Sequence, residues 1–273
     1  MDNRQAEPVL KWAGGKRQLL GELLPRIPDY KGKYIEPFIG GGALFFALLP
    51  ENAILSDCNE ELIQFYKTLR WKANLVIKEL KQYKNNEEEY YKIRAKDWKT
   101  LDPVEAAARM IYLNKTCFNG LYRVNRQGKF NVPYGKRTNI KICNEDQILK
   151  AARALRKKKI ICGDYSSVLK KYAEPDDFIF LDPPYFQVTE KETFLRYTSD
   201  RFYEDDQIKL AKIVNDLYDR GCNLLITNSN HPQIFELYSR FDIDVVTVRR
   251  SVNCMGDGRK GEDTIIKAFH RAV

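Results

Sequence analysis

The feature that most restricts the fold of this chain is a set of short, apolar, β-rich runs. They are Lys33–Glu36, Ala53–Ser56, Lys159–Cys162, Asp177–Leu181, Asn223–Thr227, Asp242–Val248 and Thr264–Phe269. Many are continuous rather than alternating, which suits strands covered on both faces. Between them lie segments with apolar residues at helical spacing, among them Arg17–Leu24, Ala43–Leu49 and Asp205–Asp219. Strands that alternate with helices predict an α/β fold with a doubly wound, Rossmann-like, mostly parallel sheet.

The middle of the chain breaks this rhythm. From Glu60 to Leu155 the pattern is mostly helical and heavily charged, as in KQYKNNEEEYYKIRAKDWKT. It ends in a polar, Gly- and Asn-rich loop, NKTCFNGLYRVNRQGKFNVPYGKRTN. We read this stretch as an insertion between the second and third strands. The charge run Asn85–Tyr91 reads as a solvated helix face.

Composition narrows the function classes. With 273 residues and 44% hydrophobic content, the chain is long and apolar enough for a packed domain with an inserted subdomain. The net charge of +9 fits a polyanionic partner, nucleic acid first, and equally a lysine-rich protein without one. The cysteines Cys58, Cys117, Cys143, Cys162, Cys222 and Cys254 form no CxxC pair, so no metal is expected. Scattered thiols, no apolar leader and no membrane-length run predict a cytoplasmic protein. His231 and His270 are the only histidines, which leaves little material for a histidine-based triad.

YIEPFIGGGALFFALL reads as strand, turn and helix, with Gly40 to Gly42 at the turn. Without a Cβ, this backbone is open to close approach by a ligand, and the helix amides behind it suit a polar group. The pattern is not GxGxxG. The next strand, AILSDCN, ends in Asp57, where an acid suits ribose hydroxyls. A glycine turn followed by a second-strand acid implies a nucleoside-containing ligand. KWAGGK, Lys11 to Lys16, is a second glycine turn and on its own reads as a helix cap.

FIFLDPPYF, Phe178 to Phe186, puts an acid, two prolines and a tyrosine at the end of an apolar strand. Pro183 and Pro184 fix their own φ angles and carry no N–H. The Asp182 carboxylate and the Pro183 carbonyl are thus two adjacent acceptors, suited to both hydrogens of an exocyclic amine. Tyr185 would stack on the base that carries it.

Together these segments resemble the Dam-type DNA adenine-N6 methyltransferases, of the α group of amino-methyltransferases, over nearly the whole chain. KWAGGK and EPFIGGG resemble the family's two S-adenosylmethionine segments, and SDCNEELI its acidic cofactor loop. NGLYRVNRQGKFNVPYG resembles its target-recognition loop, DPPY its catalytic motif, and VVTVRRSVN also matches. The resemblance implies a methyltransferase domain of residues 1–59 and 155–273, with a target-recognition domain of residues 60–154. It implies S-adenosylmethionine as cofactor, held by Trp12, Ala13, Gly14, Lys16, Glu36, Phe38, Gly40, Asp57, Asp164, Tyr165 and Asp182. Asp182, Pro183, Pro184 and Tyr185 would form the catalytic set, with direct transfer and no covalent enzyme intermediate.

Adenine N6 lies inside the duplex, so the base must be flipped out. By the same resemblance, Phe118 would wedge into the vacated stack and Asn119 would meet the orphaned base. Arg123 and Lys11 would read guanine, and Leu121 a thymine methyl. Lys129, Lys136 and Arg137 would touch phosphates. The implied target is GATC in double-stranded DNA. The loop FQVTEKETFLRYTSDRF would close over the base. The expected enzyme is a monomer of a prokaryotic cell or phage, either solitary or beside a restriction endonuclease that acts separately. Methylation of RNA, or a silent DNA-binding relative, are the alternatives.

Overall fold

A computed structural model of the protein describes residues 6–12, 14–186, 204–249 and 260–270. In chain order the elements are α1 (Leu20–Leu23), β1 (Tyr34–Glu36), α2 (Ala43–Leu48), β2 (Ala53–Asp57) and α3 (Glu60–Leu80). There follow α4 (Glu87–Ala95), α5 (Pro103–Thr116), α6 (Glu145–Leu155), β3 (Lys159–Cys162), α7 (Tyr165–Tyr172) and β4 (Phe178–Leu181). The chain continues with α8 (Glu204–Asp219), β5 (Asn223–Ser229), α9 (Pro232–Leu237), β6 (Asp242–Arg249) and β7 (Lys260–Ala268).

The described strands form one sheet in the order β3-β2-β1-β4-β5-β7-β6. β1 to β5 run parallel, and β7 is antiparallel to both β5 and β6. The sheet is doubly wound, as expected from the continuous runs. In β4, Phe178 and Phe180 point into one apolar cluster, with α3 and α5. Ile179 and Leu181 point into the other, with α7, α8 and α9. All four side chains are buried, and each contributes about 1.5–3 kcal/mol relative to exposure.

Two segments differ from expectation. The Arg17–Leu24 pattern gives only one α-helical turn between two 3-10 turns, Lys16–Leu19 and Leu24–Arg26. Gly15 offers no capping side chain, Gly21 weakens the middle, and Pro25 ends the run. The last strand begins at Lys260 rather than Thr264, because KGED pairs with the far end of β6. A polar half-strand of this kind carries no apolar signal.

The insertion does fall between β2 and β3. Asn59, Asn86 and Asp102 cap α3, α4 and α5 through their side-chain oxygens. α3 packs on β2 and β3 as well as on α5 and α6. Its apolar face therefore joins the insertion to the sheet in one continuous core.

Candidate active site

Three neighbouring strands end in carboxylates. β2, β1 and β4 are adjacent, and their C-terminal ends present Asp57, Glu36 and, one residue on, Asp182. Glu36 is buried and accepts a hydrogen bond from the Tyr34 hydroxyl at 2.8 Å. Burial pushes its carboxyl up to about 8, against the Tyr34 bond and with the help of the Asp182 and Asp57 charges. Burial also raises the Asp57 carboxyl, which accepts from the Gly40 N–H at 3.1 Å and the Asn59 N–H at 2.9 Å.

Among the described residues, Lys16 is the cation that meets this cluster. The Lys16 ammonium, 6% exposed, lies 2.6 Å from Asp182 Oδ1. It also donates to the Gly14 carbonyl at 2.6 Å and sits 4.5 Å from the centre of the Tyr185 ring. Thr227 of β5 donates its hydroxyl to the same Oδ1 at 2.8 Å. Oδ1 is thus held twice, while Oδ2 has no hydrogen-bond partner among the described residues.

The residues after Asp182 are fixed by polar groups from β5, α8 and β7. Gln207 donates to the Pro184 carbonyl at 2.8 Å, and Asn228 donates to Gln207 at 3.1 Å. The Phe186 N–H donates to Asn228 at 3.1 Å. The Tyr185 hydroxyl donates to Asp263 at 3.0 Å. Burial first, then the Asp182 and Asp263 charges, hold that phenol well above its usual range. The carbonyl of Pro183, the next residue in the chain, is left without a donor among the described residues.

The glycine turn also has a packing role. A Cβ on Gly40 would come within 2.8 Å of the Trp12 indole, and one on Gly41 within 3.1 Å of the Trp12 Cβ. The room left by these glycines is therefore taken up by Trp12, and the turn binds KWAGGK to the sheet. Gly40 and Gly42 have φ values of 44° and 69°, so glycine also relieves backbone strain there. Phe38 packs on Tyr165 with ring centroids 5.1 Å apart. Asp164 spends its carboxylate on the start of α7, accepting from the Ser166 and Ser167 amides. Ala13 lies outside the described residues, as do residues 187–202 of the loop after DPPY and residues 250–253 of VVTVRRSVN.

The NGLYR loop lies against Lys11. Asn114, buried at the end of α5, accepts from the Lys11 N–H at 2.8 Å and donates to the Lys11 carbonyl at 2.7 Å. It also donates to the Gly120 carbonyl at 3.4 Å. Lys11 Nζ donates to the Asn119 carbonyl at 2.7 Å. Phe118 is 45% exposed, and Asn119 beside it is exposed with φ at 56°. Arg123 donates through Nε to Asn131 at 2.9 Å, which leaves the rest of its guanidinium available. Leu121 and Arg123 are half-buried, on either side of a buried Tyr122. Lys129, Lys136 and Arg137 are exposed, and Arg137 donates to the Lys115 carbonyl at 2.7 Å.

Sequence reasoning missed the supports of this site. Thr227, Gln207, Asn228, Asp263 and Asn114 come from other elements than the groups they hold. So do Glu61 and Arg109, a buried pair 2.8 Å apart whose carboxylate accepts from Tyr122 at 2.7 Å. The one local signal is polar residues inside apolar runs, as in LLITNSN. No cluster of metal-ligating side chains occurs among the described residues, and none of their helices is long and apolar enough to cross a membrane.

Comparison with known proteins shows the family. Residues 12–252 match the family described as D12 class N6 adenine-specific DNA methyltransferase. The chain is 40% identical to a type II methyltransferase, M.MjaIII, of Methanocaldococcus jannaschii, over 94% of this chain and 96% of the relative. It is 38% identical to the DNA N-6-adenine-methyltransferase of Escherichia phage P1, over 92% of this chain and 34% of that longer protein. It is 31% identical to the DNA adenine methylase of Escherichia coli strain K12, over 97% of this chain and 95% of the relative. With a doubly wound sheet, a DPPY carboxylate at the end of β4 and these matches along nearly its whole length, the chain belongs to the D12 class of N6 adenine-specific DNA methyltransferases.

Proposed function

We propose that this DNA adenine-N6 methyltransferase takes its methyl group from S-adenosylmethionine and acts on an adenine flipped out of duplex DNA, with GATC as its target. The observation that carries the chemistry is an Asp182 carboxylate held by Lys16 and Thr227 through Oδ1, with Oδ2 open among the described residues and the next residue's carbonyl, that of Pro183, without a donor among them. These two acceptors suit the two hydrogens of one exocyclic amine, and Tyr185 suits the flat base. Oδ2 would take the proton that N6 loses on methylation. Lys16 and Thr227 keep the carboxylate oriented from its other oxygen.

The donor set fits a cationic nucleoside. Asp57 and Asp182 supply negative charge, which adds to burial in raising the Glu36 carboxyl to about 8, and Lys16 is the cation paired with Asp182. When bound, S-adenosylmethionine supplies an electrophilic methyl on a sulfonium. Asp57 would accept from its ribose, while Glu36 and the turn at Gly14 and Gly40 would line the rest of the site. Phe38, Asp164 and Tyr165 would flank its adenine. Trp12 would shape the site by holding the glycine turn.

Residues 60–154 would act as the target-recognition part and residues 1–59 and 155–273 as the catalytic part. Arg123 and Lys11 would read guanine, Leu121 the thymine methyl, and Phe118 would fill the gap left by the flipped base. Asn119 would face the orphaned partner, and Lys129, Lys136 and Arg137 would meet phosphates. The enzyme would act either alone or beside a restriction endonuclease, the latter in keeping with the name type II methyltransferase on one relative. A monomer in the cytoplasm suffices for either, because a palindrome can be methylated one strand at a time.

Labelled S-adenosylmethionine with duplexes carrying GATC, each single-base change, or pre-methylated adenine tests this reading. Label on GATC alone, recovered as N6-methyladenine, supports it. Label on another duplex removes the target assignment and keeps the chemistry.

A further inference from the structure

The strongest run of one charge in the chain lies far from DPPY. Between Asp146 and Asp164 there is no acid, while Lys150, Arg153, Arg156, Lys157, Lys158 and Lys159 are all basic. The run covers the end of α6 and the entry into β3. It therefore lies at the N-terminal edge of the parallel strands, where Ile54 pairs with Lys159. The carboxylates of the active site lie at the opposite, C-terminal edge.

This edge holds a cleft of about 270 Å³ lined by Lys150, Arg153, Arg156 and Lys158, with Leu49 and Ala154 as apolar walls. Neutralisation is sparse. Lys150 pairs with Asp146 at 2.9 Å, and Lys158 donates to the Glu51 carbonyl, a neutral group, at 2.6 Å. Arg153, Arg156 and Lys157 are exposed and have no carboxylate within ion-pair distance among the described residues. The Lys158 ammonium is held below its usual range by burial and by the Lys157 charge, against the pull of Glu51. A helix C-terminus favours one or two cations. It does not account for four more consecutive ones, Arg156 to Lys159, beyond the end of α6.

Lys157 adds a second observation. Its φ is 64°, in the left-handed region, just past the helix end where glycine is the favoured residue. A lysine there keeps a charge at the lip of the cleft in place of the residue that the backbone prefers.

We propose that this basic edge is a second DNA-binding surface, which holds the phosphate backbone of a duplex segment other than the one in the active site. The enzyme acts on a polyanion, and the surface offers several cations without a carboxylate partner among the described residues, as phosphate-backbone binding requires. Holding a distant segment would keep the enzyme on long DNA between target sites.

The test compares wild type with a variant carrying Arg153→Glu, Arg156→Glu and Lys157→Gly, the glycine suiting the positive φ. Sedimentation at about 50 mM salt, with a labelled duplex of about 14 base pairs, counts the duplexes bound per chain. Wild type takes up a second duplex and the variant takes up only the first, with unchanged affinity for that first one. Loss of three phosphate contacts lowers the salt slope of the second event by about 3 and weakens it roughly tenfold or more. A variant that still binds the second duplex with the same slope overturns the proposal, as does a wild type that saturates with one. If wild type saturates with one duplex, and inorganic phosphate then raises its melting temperature but not the variant's, the cleft is a small-anion site instead.

Discussion

The Trp12 indole stacks on the Tyr122 ring, with centroids 4.6 Å apart and planes 21° apart. Trp12 fills the space over the glycine turn, and Tyr122 sits between Leu121 and Arg123. The stack therefore joins the segment beside the carboxylate cluster to the loop that would read DNA. Its far end is anchored, because the Tyr122 hydroxyl donates to the buried Glu61, which Arg109 neutralises.

Substitutions at Tyr122 separate the stack from the anchor. Tyr122→Phe keeps the stack and leaves a buried carboxylate one donor short, at a cost of about 1–3 kcal/mol. Tyr122→Ala also opens a cavity and costs about 3–5 kcal/mol. Chemical denaturation gives these differences. The methylation assay on single-base duplexes should show lost discrimination for the alanine variant and little loss for phenylalanine.

Thr227 is a positioning residue. Its hydroxyl bond to Asp182 Oδ1 is a bond to a charged group, worth about 1.5–3 kcal/mol. Thr227→Val should lower kcat by roughly 10- to 100-fold with KM for DNA little changed. Thr227→Ser should restore most of the rate. Equal losses in valine and serine variants would assign Thr227 a packing role only.

Glu36 makes stability depend on pH. Its carboxyl is raised to about 8 in the folded protein, so between the ordinary carboxylate range and 8 the folded state holds one proton more than the unfolded chain. Stability from this group is full at low pH and declines as pH rises toward 8. Between about pH 6 and pH 8 the decline is about 2 kcal/mol. Glu36→Gln keeps an acceptor for Tyr34 and should remove that part of the slope, as read from denaturation midpoints at the two pH values.

Arg123 and Lys129 should separate base reading from phosphate binding. Arg123→Ala should cost about 1–3 kcal/mol on the best duplex and relax discrimination at one guanine. Lys129→Ala should weaken all duplexes alike and lower the salt slope by about 1. Competition binding with single-base variants over a range of salt distinguishes the two.

What could be read in advance follows from where each signal lies. The core strands were legible because burial on both faces writes a continuous apolar run, as in Phe178–Leu181. The start of β7 was not, because Lys260–Asp263 is polar and gains its place by pairing with β6. Arg17–Leu24 had the spacing of a helix, but spacing does not count the cost of Gly21 and Pro25. Asp182 and the glycine turns stood out as local motifs. Thr227, Asp263, Gln207 and Asn114 did not, since each acts on a group from another element, and only folding brings the pairs together. The glycine turn has a packing role that its motif did not announce, because its missing Cβ atoms make room for Trp12.

In the proposed mechanism Asp182 does the chemistry through an oxygen kept open for the target amine. The most direct test is single-turnover methyl transfer by Asp182→Ala to a duplex carrying the target adenine, with DNA binding and melting temperature measured in parallel. Transfer should be lost while the variant stays folded and still binds DNA. Methyl transfer at a rate close to that of wild type would contradict this mechanism.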